Sequence, residues 1–443
     1  MNIDFILDKL LENRTGTAVI TGDKSFTFGD IFSRYEKCHE QLQGKLVPGN
    51  RVVALRAEFS PSSIAMFLSL ISRDCIIVPI SKNIKDIEAY LNVSQSEWFI
   101  DVQGETFEIK HLGHSVTHPL LAELKSKKEP GLILFSSGTT AEPKAALHSL
   151  LQLMGKFKKP GKTLKTIAFL LFDHIGGFNT MMHALANGGT IATVSERTPD
   201  EVCKVIEKNA IELLPTSPTF LNMILMSKSH QQYDLSSLKI ISYGTEPMPQ
   251  STLQALNRIL PEVHLKQTYG LSEVGIMATK SESSDSLYLK IGGDGFETKI
   301  VDDILYIRAE SAMLGYLNAP SPFDEEGWFN TKDRVEVKGE YIKILGRTTD
   351  LINVGGEKVY PIEVESLLLQ CDGVLDVRVY GEPNPLMGKV VAAEIKVAPE
   401  NDHRDFIKKL RTFCSQKLEK YKIPVKIRLT QSSLSGDRLK KKR

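Results

Sequence analysis

A loop rich in small and hydroxylated residues offers the first chemical signal in this chain. It covers residues 135–144, reads FSSGTTAEPK, and follows the apolar run 132–134, which predicts a strand. Small residues let backbone N–H groups approach phosphate oxygens, hydroxyls donate hydrogen bonds, and Lys144 adds positive charge. The pattern indicates a polyphosphate site, with an ordinary hydrophilic turn as the alternative. The candidate residues are Ser136, Ser137, Gly138, Thr139, Thr140 and Lys144.

The spacing of this loop differs from that of the Walker P-loop. No Gly-Lys-Ser or Gly-Lys-Thr opens the helix that would follow. A P-loop ATPase is therefore disfavoured. Such an ATPase would release ADP as its product.

A second segment, residues 267–273 with the sequence QTYGLSE, combines a ring, a glycine and a carboxylate. Tyr269 can stack near a nucleotide base, and Gly270 permits close approach of the backbone. Glu273 can hold the Mg²⁺ that bridges phosphates. A Tyr-Gly surface turn that happens to carry a glutamate is the alternative.

Alternating helical and strand-like runs predict the scaffold that positions these loops. Strands are predicted at 51–55, 75–79, 166–171 and 190–194, and helices at 64–70, 177–185 and 200–208. Such alternation is typical of a mainly parallel, layered sheet. From about residue 287, β-type runs at 304–307 and 341–344 predict a small antiparallel or barrel-like region. After residue 346, helices at 361–369 and 405–418 and strands at 374–380 and 390–397 predict a separate lid domain.

Length and composition restrict the class of protein. A chain of 443 residues is too long to fold around one hydrophobic core, so two or three domains are expected. With 42% apolar and 25% charged residues it has an ordinary globular composition, and a net charge of +1 predicts no general attraction to nucleic acid or anionic membrane. No membrane span and no secretory signal are predicted. Five scattered cysteines without a C-x-x-C pair predict reduced thiols and a cytoplasmic location.

The loop at 136–145 closely resembles the phosphate-binding signature of the adenylate-forming superfamily. That group includes acyl-CoA synthetases, aryl-acid CoA ligases, luciferase and peptide-synthetase adenylation domains, and its usual pattern is Ser/Thr-Ser-Gly-Ser/Thr-Thr-Gly-x-Pro-Lys-Gly. Ala141 and Ala145 stand where the family usually has Gly. The resemblance runs from about residue 25 onward and rests on five motifs in the family's order. The chain is closest in pattern to the short acyl- and aryl-acid CoA ligases.

Further site residues are implied by this resemblance. Residues 242–247 (SYGTEP) resemble the family segment beside the adenine and the acyl pocket, where Tyr243 in place of a small residue predicts a narrowed or aromatic-lined pocket. Residues 327–333 (GWFNTKD) resemble Gly-Trp-Phe-x-Thr-Gly-Asp, whose Asp accepts the ribose hydroxyls, and Lys332 replaces its Gly. The implied nucleotide-site residues are Gly244, Thr245, Glu246, Gln267, Thr268, Tyr269, Gly270, Ser272 and Asp333, with Glu273 as the metal ligand.

Residues 346–350 (GRTTD) resemble the family's domain hinge. The resemblance implies that Arg347 contacts the ribose or the α-phosphate, and guanidinium groups suit phosphate. Thr349 falls on the hinge position, which is usually Asp or Lys. The glycines Gly355 and Gly356 match a segment that faces the pantetheine thiol. The implied domains are an ATP- and acyl-binding domain at 1–345, a hinge at 346–349 and a mobile α+β lid at 350–443.

Residues 171–178 (LFDHIGGF) resemble the Leu-Phe-His-x-x-Gly motif of acyl- and aryl-CoA ligases. The motif implies that His174 gates the acyl pocket, although a cap for the next helix is the alternative. Peptide-synthetase domains use an Asp here to hold an amino group, but Asp173 is one residue off that position. We therefore favour an acid without an α-amino group. An apolar pocket or core packing explains Phe178, Met181 and Met182 equally well.

The family's C-terminal lysine, which holds the carboxylate and α-phosphate during adenylation, has no direct counterpart. Its position is occupied by Asp437 in the tail LSGDRLKKKR. A carboxylate repels phosphate, and losing such a contact costs roughly a few kcal/mol of transition-state stabilisation. Three interpretations follow: substitution by Arg438 or one of Lys440, Lys441 and Lys442, which we favour; slow adenylation that depends on thiol transfer; or degenerate activity.

These motifs together predict an α/β enzyme with a large N-terminal domain of layered αβα sheets, a small barrel-like region and a smaller C-terminal domain. The implied reaction is ATP- and Mg²⁺-dependent activation of a small carboxylic acid, with pyrophosphate release, and acyl transfer to the thiol of coenzyme A or of phosphopantetheine on an acyl carrier protein. The implied catalytic residues are Lys144, His174, Glu273 and Arg347. A catalytically weakened nucleotide- or acyl-binding member of the family is the alternative, motivated by Asp437, Thr349 and Lys332.

Overall fold

The computed structural model describes residues 3–44, 47–84, 86–136, 143–398, 401, 404–436 and 441. Its first elements are α1 (Asp4–Glu12), β1 (Thr17–Thr21), β2 (Lys24–Thr27), α2 (Phe28–Gly44), β3 (Val52–Arg56), α3 (Pro61–Ser72), β4 (Ile76–Ile80), α4 (Ile87–Ser94), β5 (Trp98–Gln103), β6 (Thr106–His111), α5 (Pro119–Ser126), β7 (Gly131–Ser136), β8 (Lys144–Ser149) and α6 (Leu150–Met154). They are followed by β9 (Lys165–Ile167), α7 (Ile175–Ala186), β10 (Thr190–Ala192), α8 (Pro199–Asn209), β11 (Leu213–Thr216), α9 (Pro218–Ser227), β12 (Ile240–Tyr243), α10 (Gln250–Ile259) and β13 (His264–Gln267).

The remaining elements are mostly strands. Up to residue 347 these are β14 (Gly270–Leu271), β15 (Gly275–Ile276), β16 (Ala278–Ser281), β17 (Tyr288–Gly292), β18 (Phe296–Val301), β19 (Ile304–Ala309), β20 (Gly315–Tyr316), β21 (Phe329–Lys338) and β22 (Tyr341–Arg347). Beyond it lie β23 (Ile352–Val354), β24 (Glu357–Val359), α11 (Pro361–Leu368), β25 (Val374–Asn384), β26 (Gly388–Val397), α12 (Arg404–Ser415) and β27 (Lys426–Thr430).

Two seven-stranded sheets form the centre of the described structure. The first sheet has the order β20-β8-β7-β4-β3-β5-β6, and its four central strands β7, β4, β3 and β5 run parallel. The second sheet has the order β13-β12-β11-β9-β10-β1-β2 and is parallel from β13 to β1. The predicted α/β class with a mainly parallel, layered sheet is confirmed.

Alternating side chains place helices on both faces of each sheet. In β3, Val53 and Leu55 belong to the core between the two sheets, whereas Val52 and Ala54 face the opposite side. The central core also holds α3, in which residues 61–71 are all buried. Helices α4 and α5 cover the outer face of the first sheet. Helices α8, α9 and α10 cover the outer face of the second. The result is five layers of alternating helices and sheets.

Two smaller sheets complete the fold. The region predicted to be antiparallel or barrel-like forms a six-stranded antiparallel sheet with the order β16-β17-β22-β21-β19-β18. The C-terminal strands form a further sheet, β24-β23-β26-β25 with β27 on β26, which has its own apolar core with α11 and α12. This C-terminal unit contacts the rest of the chain where Ser251 N donates to Ser366 Oγ at 3.2 Å and Asn222 Nδ2 donates to Leu375 O at 3.1 Å.

None of the helices in the described ranges combines the length and the apolar character that crossing a bilayer requires.

Helix α7 begins in a corner too tight for side chains. Strand β9 ends at Ile167, which is earlier than the predicted 166–171, and the chain then folds back over the start of α7. A Cβ added at Gly177 would lie 1.9 Å from Leu171 O, and one added at Gly176 would lie 2.5 Å from Leu170 Cδ1. These two glycines allow α7 to lie close to the end of the second sheet.

Gly177→Ala is expected to lower the free energy of unfolding by about 1–3 kcal/mol, because a clash with a backbone oxygen cannot be relieved by rotating a side chain. Urea unfolding followed by circular dichroism measures the change. Gly155→Ala is the matched control, since a Cβ there meets no atom within 4 Å. Equal stability of the two variants would contradict the assigned role of Gly177.

Candidate active site

A pocket lies between α7 and one face of the second sheet. Its cavity volume is about 120 Å³. The sheet side is formed by Thr166, Leu213, Pro215, Ser242 and Thr268. The helix side is formed by His174, Ile175, Gly176, Asn179, Thr180 and His183. The cavity lining is mainly apolar, with hydroxyl, amide and imidazole groups placed among the apolar side chains.

His174 caps the following helix, which is one of its two predicted roles, and its gating role stays a prediction. Its Nδ1 accepts a hydrogen bond from Gly176 N at 3.0 Å and so caps α7, and the same side chain lines the pocket. With Nδ1 as an acceptor, the ring is in the neutral tautomer that carries its hydrogen on Nε2. The neighbouring Asp173 is buried elsewhere, where its Oδ2 accepts from Ser81 N at 3.4 Å. That placement agrees with an acid that lacks an α-amino group.

Core packing, not the pocket, explains the apolar residues near His174. Phe178, Met181 and Met182 belong to the core between the two sheets. Tyr243 is 1% exposed and lies in the outer core with α8, α9 and α10. The prediction that Tyr243 narrows the pocket is wrong, because alternation along β12 turns Ser242 toward the cavity and Tyr243 away from it.

Close backbone approach shapes the end of the pocket beyond β12 and β13. A Cβ at Gly244 would lie 2.5 Å from Thr268 Oγ1. Thr245 has φ 75°, a left-handed conformation that β-branched residues rarely adopt. Gly244, Thr245, Thr268 and Gly270 all line the pocket. Such strained backbone is concentrated at ligand sites.

Tyr269, Asp333 and Arg347, three residues predicted to bind the nucleotide, meet beside this end of the pocket. The Tyr269 hydroxyl donates a hydrogen bond to Asp333 Oδ2, and Arg347 Nε lies 3.5 Å from Asp333 Oδ1. Register between β21 and β22 sets Asp333 opposite Arg347. Burial raises the pKa of the Asp333 carboxyl, and burial together with the Asp333 charge raises the pKa of Tyr269. Tyr269 therefore stays protonated and remains a donor.

Glu273, the predicted metal ligand, lies close to Lys144. Glu273 Oε1 accepts a hydrogen bond from the Tyr316 hydroxyl at 2.6 Å, and Lys144 Nζ lies 5.3 Å from the centroid of the Tyr316 ring. Burial and the Glu273 charge raise the pKa of Tyr316. Over the described ranges, no group of three His, Cys, Asp or Glu residues could hold a metal alone. Mg²⁺ commonly binds through one or two carboxylates plus substrate phosphates, and the carboxylate of Glu273 fits that role.

Three other predicted residues make structural contacts. Glu246 Oε1 accepts from Thr219 N at 2.9 Å, at the start of α9. Gln267 is buried, and its backbone N donates to Ser281 Oγ at 2.9 Å. Ser272 O accepts from His148 Nε2 at 2.7 Å, which ties the segment 267–273 to β8. None of Glu246, Gln267 and Ser272 is among the described residues that line the pocket.

Several predicted residues lie outside the described part of the chain. Ser137, Gly138, Thr139 and Thr140 are among them, and so are Asp437, Arg438, Lys440 and Lys442. Only the backbone of Ser136 is described, where it pairs with Lys144. The phosphate loop and most of the tail therefore stay predictions.

Lys441 contacts the C-terminal unit. Its Nζ donates to Val377 O at 2.6 Å and lies 3.5 Å from Glu365 and 3.6 Å from Asp376. The side chain is 6% exposed. Its backbone N donates to Glu246 Oε2 at 3.1 Å. With its ammonium group held in this way, Lys441 does not replace the missing lysine in this arrangement.

The hinge and glycine-turn residues lie away from the pocket lining. Thr349 is exposed after β22, and its Oγ1 donates to Asp350 Oδ1 at 3.2 Å. Gly355 and Gly356 form the turn between β23 and β24 with φ 60° and 98°, values that suit glycine. The role of this turn in binding a thiol stays a prediction.

A basic group at one end of the pocket was not predicted from the sequence. Lys162 and His183 line the cavity, and Lys266 and Lys156 lie close to them. The four residues are spread over the segment before β9, helix α7 and strand β13, so no local motif marks them. Only strand register and helix placement bring them together.

Comparison with known proteins shows to which family the chain belongs. Residues 11–317 match the family described as AMP-binding enzyme, and residues 363–441 match the AMP-binding enzyme C-terminal domain. A 3-[(3aS,4S,7aS)-7a-methyl-1,5-dioxo-octahydro-1H-inden-4-yl]propanoyl:CoA ligase of Rhodococcus jostii is 28% identical over 323 residues, which cover 68% of this chain and 61% of that enzyme. A 2-succinylbenzoate–CoA ligase of Enterococcus faecalis is 24% identical over 447 residues, covering 91% and 90%.

A solved structure shares the fold over almost the whole chain. The anthranilate CoA ligase AuaEII, in complex with anthranoyl-AMP, superposes with a TM-score of 0.83 at 20% identity, and the match covers 99% of this chain and 95% of that one. The layered N-terminal sheets and the smaller C-terminal unit thus have a direct structural counterpart.

Acid is expected to destabilise the protein through His148. Burial lowers the pKa of His148 to about 4 from 6.5, so between these pH values the unfolded chain binds a proton that the folded chain rejects. This contribution to stability is complete above pH 6.5 and is lost, by up to about 3 kcal/mol, as the pH falls toward 4. His148→Gln should flatten the acid slope in urea unfolding. The exposed control His264→Gln should retain it, and equal slopes in the two variants would contradict the assignment.

Lys332→Gly is expected to raise the free energy of unfolding by about 1 kcal/mol. Lys332 has φ 60°, and left-handed backbone costs roughly 1–2 kcal/mol for residues other than glycine. Lys280→Gly in β16 removes the same exposed side chain from ordinary strand backbone and should lower stability by about 0.5–1 kcal/mol. Opposite signs in chemical denaturation support the strain at Lys332, whereas the same sign in both variants would rule it out.

Proposed function

Because the chain belongs to the AMP-binding enzyme family, we propose that it activates a carboxylic acid with ATP and transfers the acyl group to the thiol of coenzyme A. The first step forms an acyl-adenylate and releases pyrophosphate, and the second releases AMP. The predicted family, fold and reaction class, an AMP-forming acid–thiol ligase, are confirmed by the comparisons. They do not favour the alternative of a weakened binding protein.

The observation that supports adenylation best is the double role of Tyr269. Tyr269 lines the pocket, while its hydroxyl binds Asp333, which lies beside Arg347. An acid bound in the pocket with its carboxylate near Gly244 and Thr268 would therefore lie next to the nucleotide residues. This juxtaposition of an acid cavity with a ribose- and phosphate-binding cluster is what in-line attack on an α-phosphate requires.

In the first step, a carboxylate oxygen attacks the α-phosphorus, and the bond to the β-phosphate oxygen breaks. Asp333 would accept the ribose hydroxyls, and Arg347 would contact the ribose or α-phosphate. Glu273 would hold Mg²⁺, which neutralises phosphate charge when bound. Lys144 would contact the departing pyrophosphate together with the loop at 136–144. Positioning and charge stabilisation, not covalent catalysis by the protein, supply the acceleration.

In the second step, the thiol sulfur attacks the acyl carbon and AMP leaves with the bonding electrons. His174, at the start of α7, borders the route between pocket and thiol. We place a hinge at 346–349, between a unit at 1–345 and a lid at 350–443. Supporting this division, β22 ends the antiparallel sheet at Arg347, and β23 begins a separate sheet and core at Ile352. The turn at Gly355 and Gly356 would then approach the thiol.

Coenzyme A is the acceptor that we favour over a carrier-protein pantetheine arm, because the named relatives are CoA ligases. A cytoplasmic location also belongs to this proposal. It is supported by the five cysteines, all of which are free and buried.

The test is acid-dependent pyrophosphate release over a panel of aromatic, short-chain and medium-chain acids, with AMP as the nucleotide product. Asp333→Asn is expected to lower kcat/KM by about 10-fold or more, because it removes a charge-assisted contact to the ribose. Asp302→Asn, at an exposed turn, is the control and should leave the rate unchanged. Mass spectrometry of the products formed with coenzyme A and with a pantetheinylated carrier protein identifies the acceptor. If ATP binds and no acid releases pyrophosphate, the proposed function is overturned.

A further inference from the structure

The pocket runs parallel to the strands of the second sheet, from their carboxyl ends to their amino ends. Gly244 and Thr268 follow the carboxyl ends of the parallel strands β12 and β13, where the nucleotide residues lie. Lys162 and Leu164 precede β9, at the amino ends of the strands, and they line the same cavity. Helix α7 connects β9 to its parallel neighbour β10, so it returns antiparallel to the strands. His174 thus marks the nucleotide end and His183 the opposite end.

The length of α7 sets the separation of these two ends. His174 and His183 both line the cavity, and nine residues of α-helix separate their Cα atoms by about 13 Å. A bound acid whose carboxylate lies near His174 therefore extends up to about this distance before it meets Lys162 and His183.

Strand register brings a second lysine to the same cavity face. Pro215, Ser242 and Lys266 lie side by side on β11, β12 and β13. Pro215 and Ser242 line the pocket. Ile241 and Leu265, which directly precede Ser242 and Lys266 on their strands, belong to the outer core. Because side chains alternate along a strand, Lys266 must lie on the pocket face with Ser242.

A third lysine, Lys156, is exposed and lies beside the cavity, in the segment before β9. Lys156 Nζ donates to Ile276 O at 3.0 Å, and Ile276 lines the pocket. His183, on the facing helix, interacts with the charges of Lys156 and Lys266 and with the backbone of Lys162. The four residues Lys156, Lys162, Lys266 and His183 therefore form one basic cluster, which we call the basic end of the pocket.

No carboxylate neutralises the basic end within the described part of the chain. Other lysines in the same region do find acidic partners, since Lys159 pairs with Asp294 and Lys239 with Glu212. Lys156 and Lys162 are exposed, whereas Lys266 and His183 are half-buried. Burial and the Lys162 charge lower the pKa of Lys266, and burial is the main cause of the lowered His183 pKa. Half-buried cations beside other positive charges are unfavourable unless a ligand anion joins them.

We propose that the acid activated by this enzyme carries a second carboxylate, which binds Lys162, Lys266 and Lys156 at the basic end of the pocket. This inference rests on the proposed function and adds the substrate class to it. One carboxylate lies at the nucleotide end and is adenylated, while the other forms charge-assisted hydrogen bonds with the lysines. Between the two ends the lining combines apolar side chains such as Leu170 and Leu213 with hydroxyl and amide groups such as Ser242 and Asn179, which suits the hydrocarbon or aromatic body of a dicarboxylic acid.

Matched substrates test the proposal directly. Aromatic dicarboxylic acids and straight-chain diacids of about six to ten carbons span the available length, and each is compared with its monomethyl ester in acid-dependent pyrophosphate release. The ester keeps the size of the diacid but removes the distal charge. We expect at least one diacid to exceed its half-ester in kcat/KM by about 10-fold or more. Equal use of diacids and half-esters would overturn the proposal and leave the proposed function standing, whereas no release with any acid would overturn both.

Substitution of the lysines tests whether the basic end of the pocket causes the preference for diacids over half-esters. Lys162→Gln and Lys266→Gln should each reduce the diacid to half-ester ratio of kcat/KM by about 10-fold. Lys158→Gln, an exposed lysine two residues from Lys156 along the chain, is the control and should preserve the ratio. Lys162→Glu should reverse the preference in favour of the half-ester.

Isothermal titration of the preferred diacid provides a second readout, independent of turnover and useful if a variant is less stable. Tighter binding to the wild-type protein than to Lys266→Gln supports the proposal. Equal binding, or an unchanged ratio in all lysine variants, contradicts it.

Discussion

The hydrogen bond from Tyr269 to Asp333 joins two parts of the chain that fold as separate sheets. Tyr269 follows the edge strand of the second sheet, and Asp333 lies in the six-stranded antiparallel sheet. Burial disfavours the charged form of each group, which keeps the phenol a donor and makes the carboxylate depend on its partners. The cavity borders Tyr269, and the proposed nucleotide cluster contains Asp333, so this contact sets their relative position together with the hydrogen bonds between Gln267 and β16.

The second sheet supplies both the stability and the selectivity of the site through its two faces. Its outer face packs Ile167, Leu214, Ile241 and Leu265 against three helices. The opposite face, one residue out of phase, presents Thr166, Pro215 and Ser242 to the pocket. The same parallel strands also give the cavity a direction, with Gly244 and Thr268 at their carboxyl ends and Lys162 at their amino ends. The register of these parallel strands therefore determines both which side chains pack in the outer core and which line the pocket.

The sequence predicted the layered α/β fold because strands and helices such as β3, α3, β4 and α8 have strong apolar periodicity and clear turns. It also brought Tyr269, Asp333, Arg347 and Glu273 to one site through their motifs. Tyr243 was misplaced because a motif gives residue order but not the side of the strand. The basic end of the pocket was missed for a related reason: Lys156, Lys162 and Lys266 are adjacent only after register and helix packing are set. Glu246 and Gln267 show that motif residues can also serve as structural partners.

The contacts of Lys441 have a consequence for how the two units separate. Its ammonium group is paired with Glu365 and Asp376 inside the C-terminal unit, whereas only its backbone N–H reaches Glu246 in the other unit. The remaining described polar contacts across the boundary are one hydrogen bond from Asn222 and two between Ser251 and Ser366. Among the described residues, ion pairs strengthen each unit internally, whereas hydrogen bonds join the two units. The proposed reorientation of the C-terminal unit would break these hydrogen bonds and none of the described ion pairs, so its rate should respond little to ionic strength.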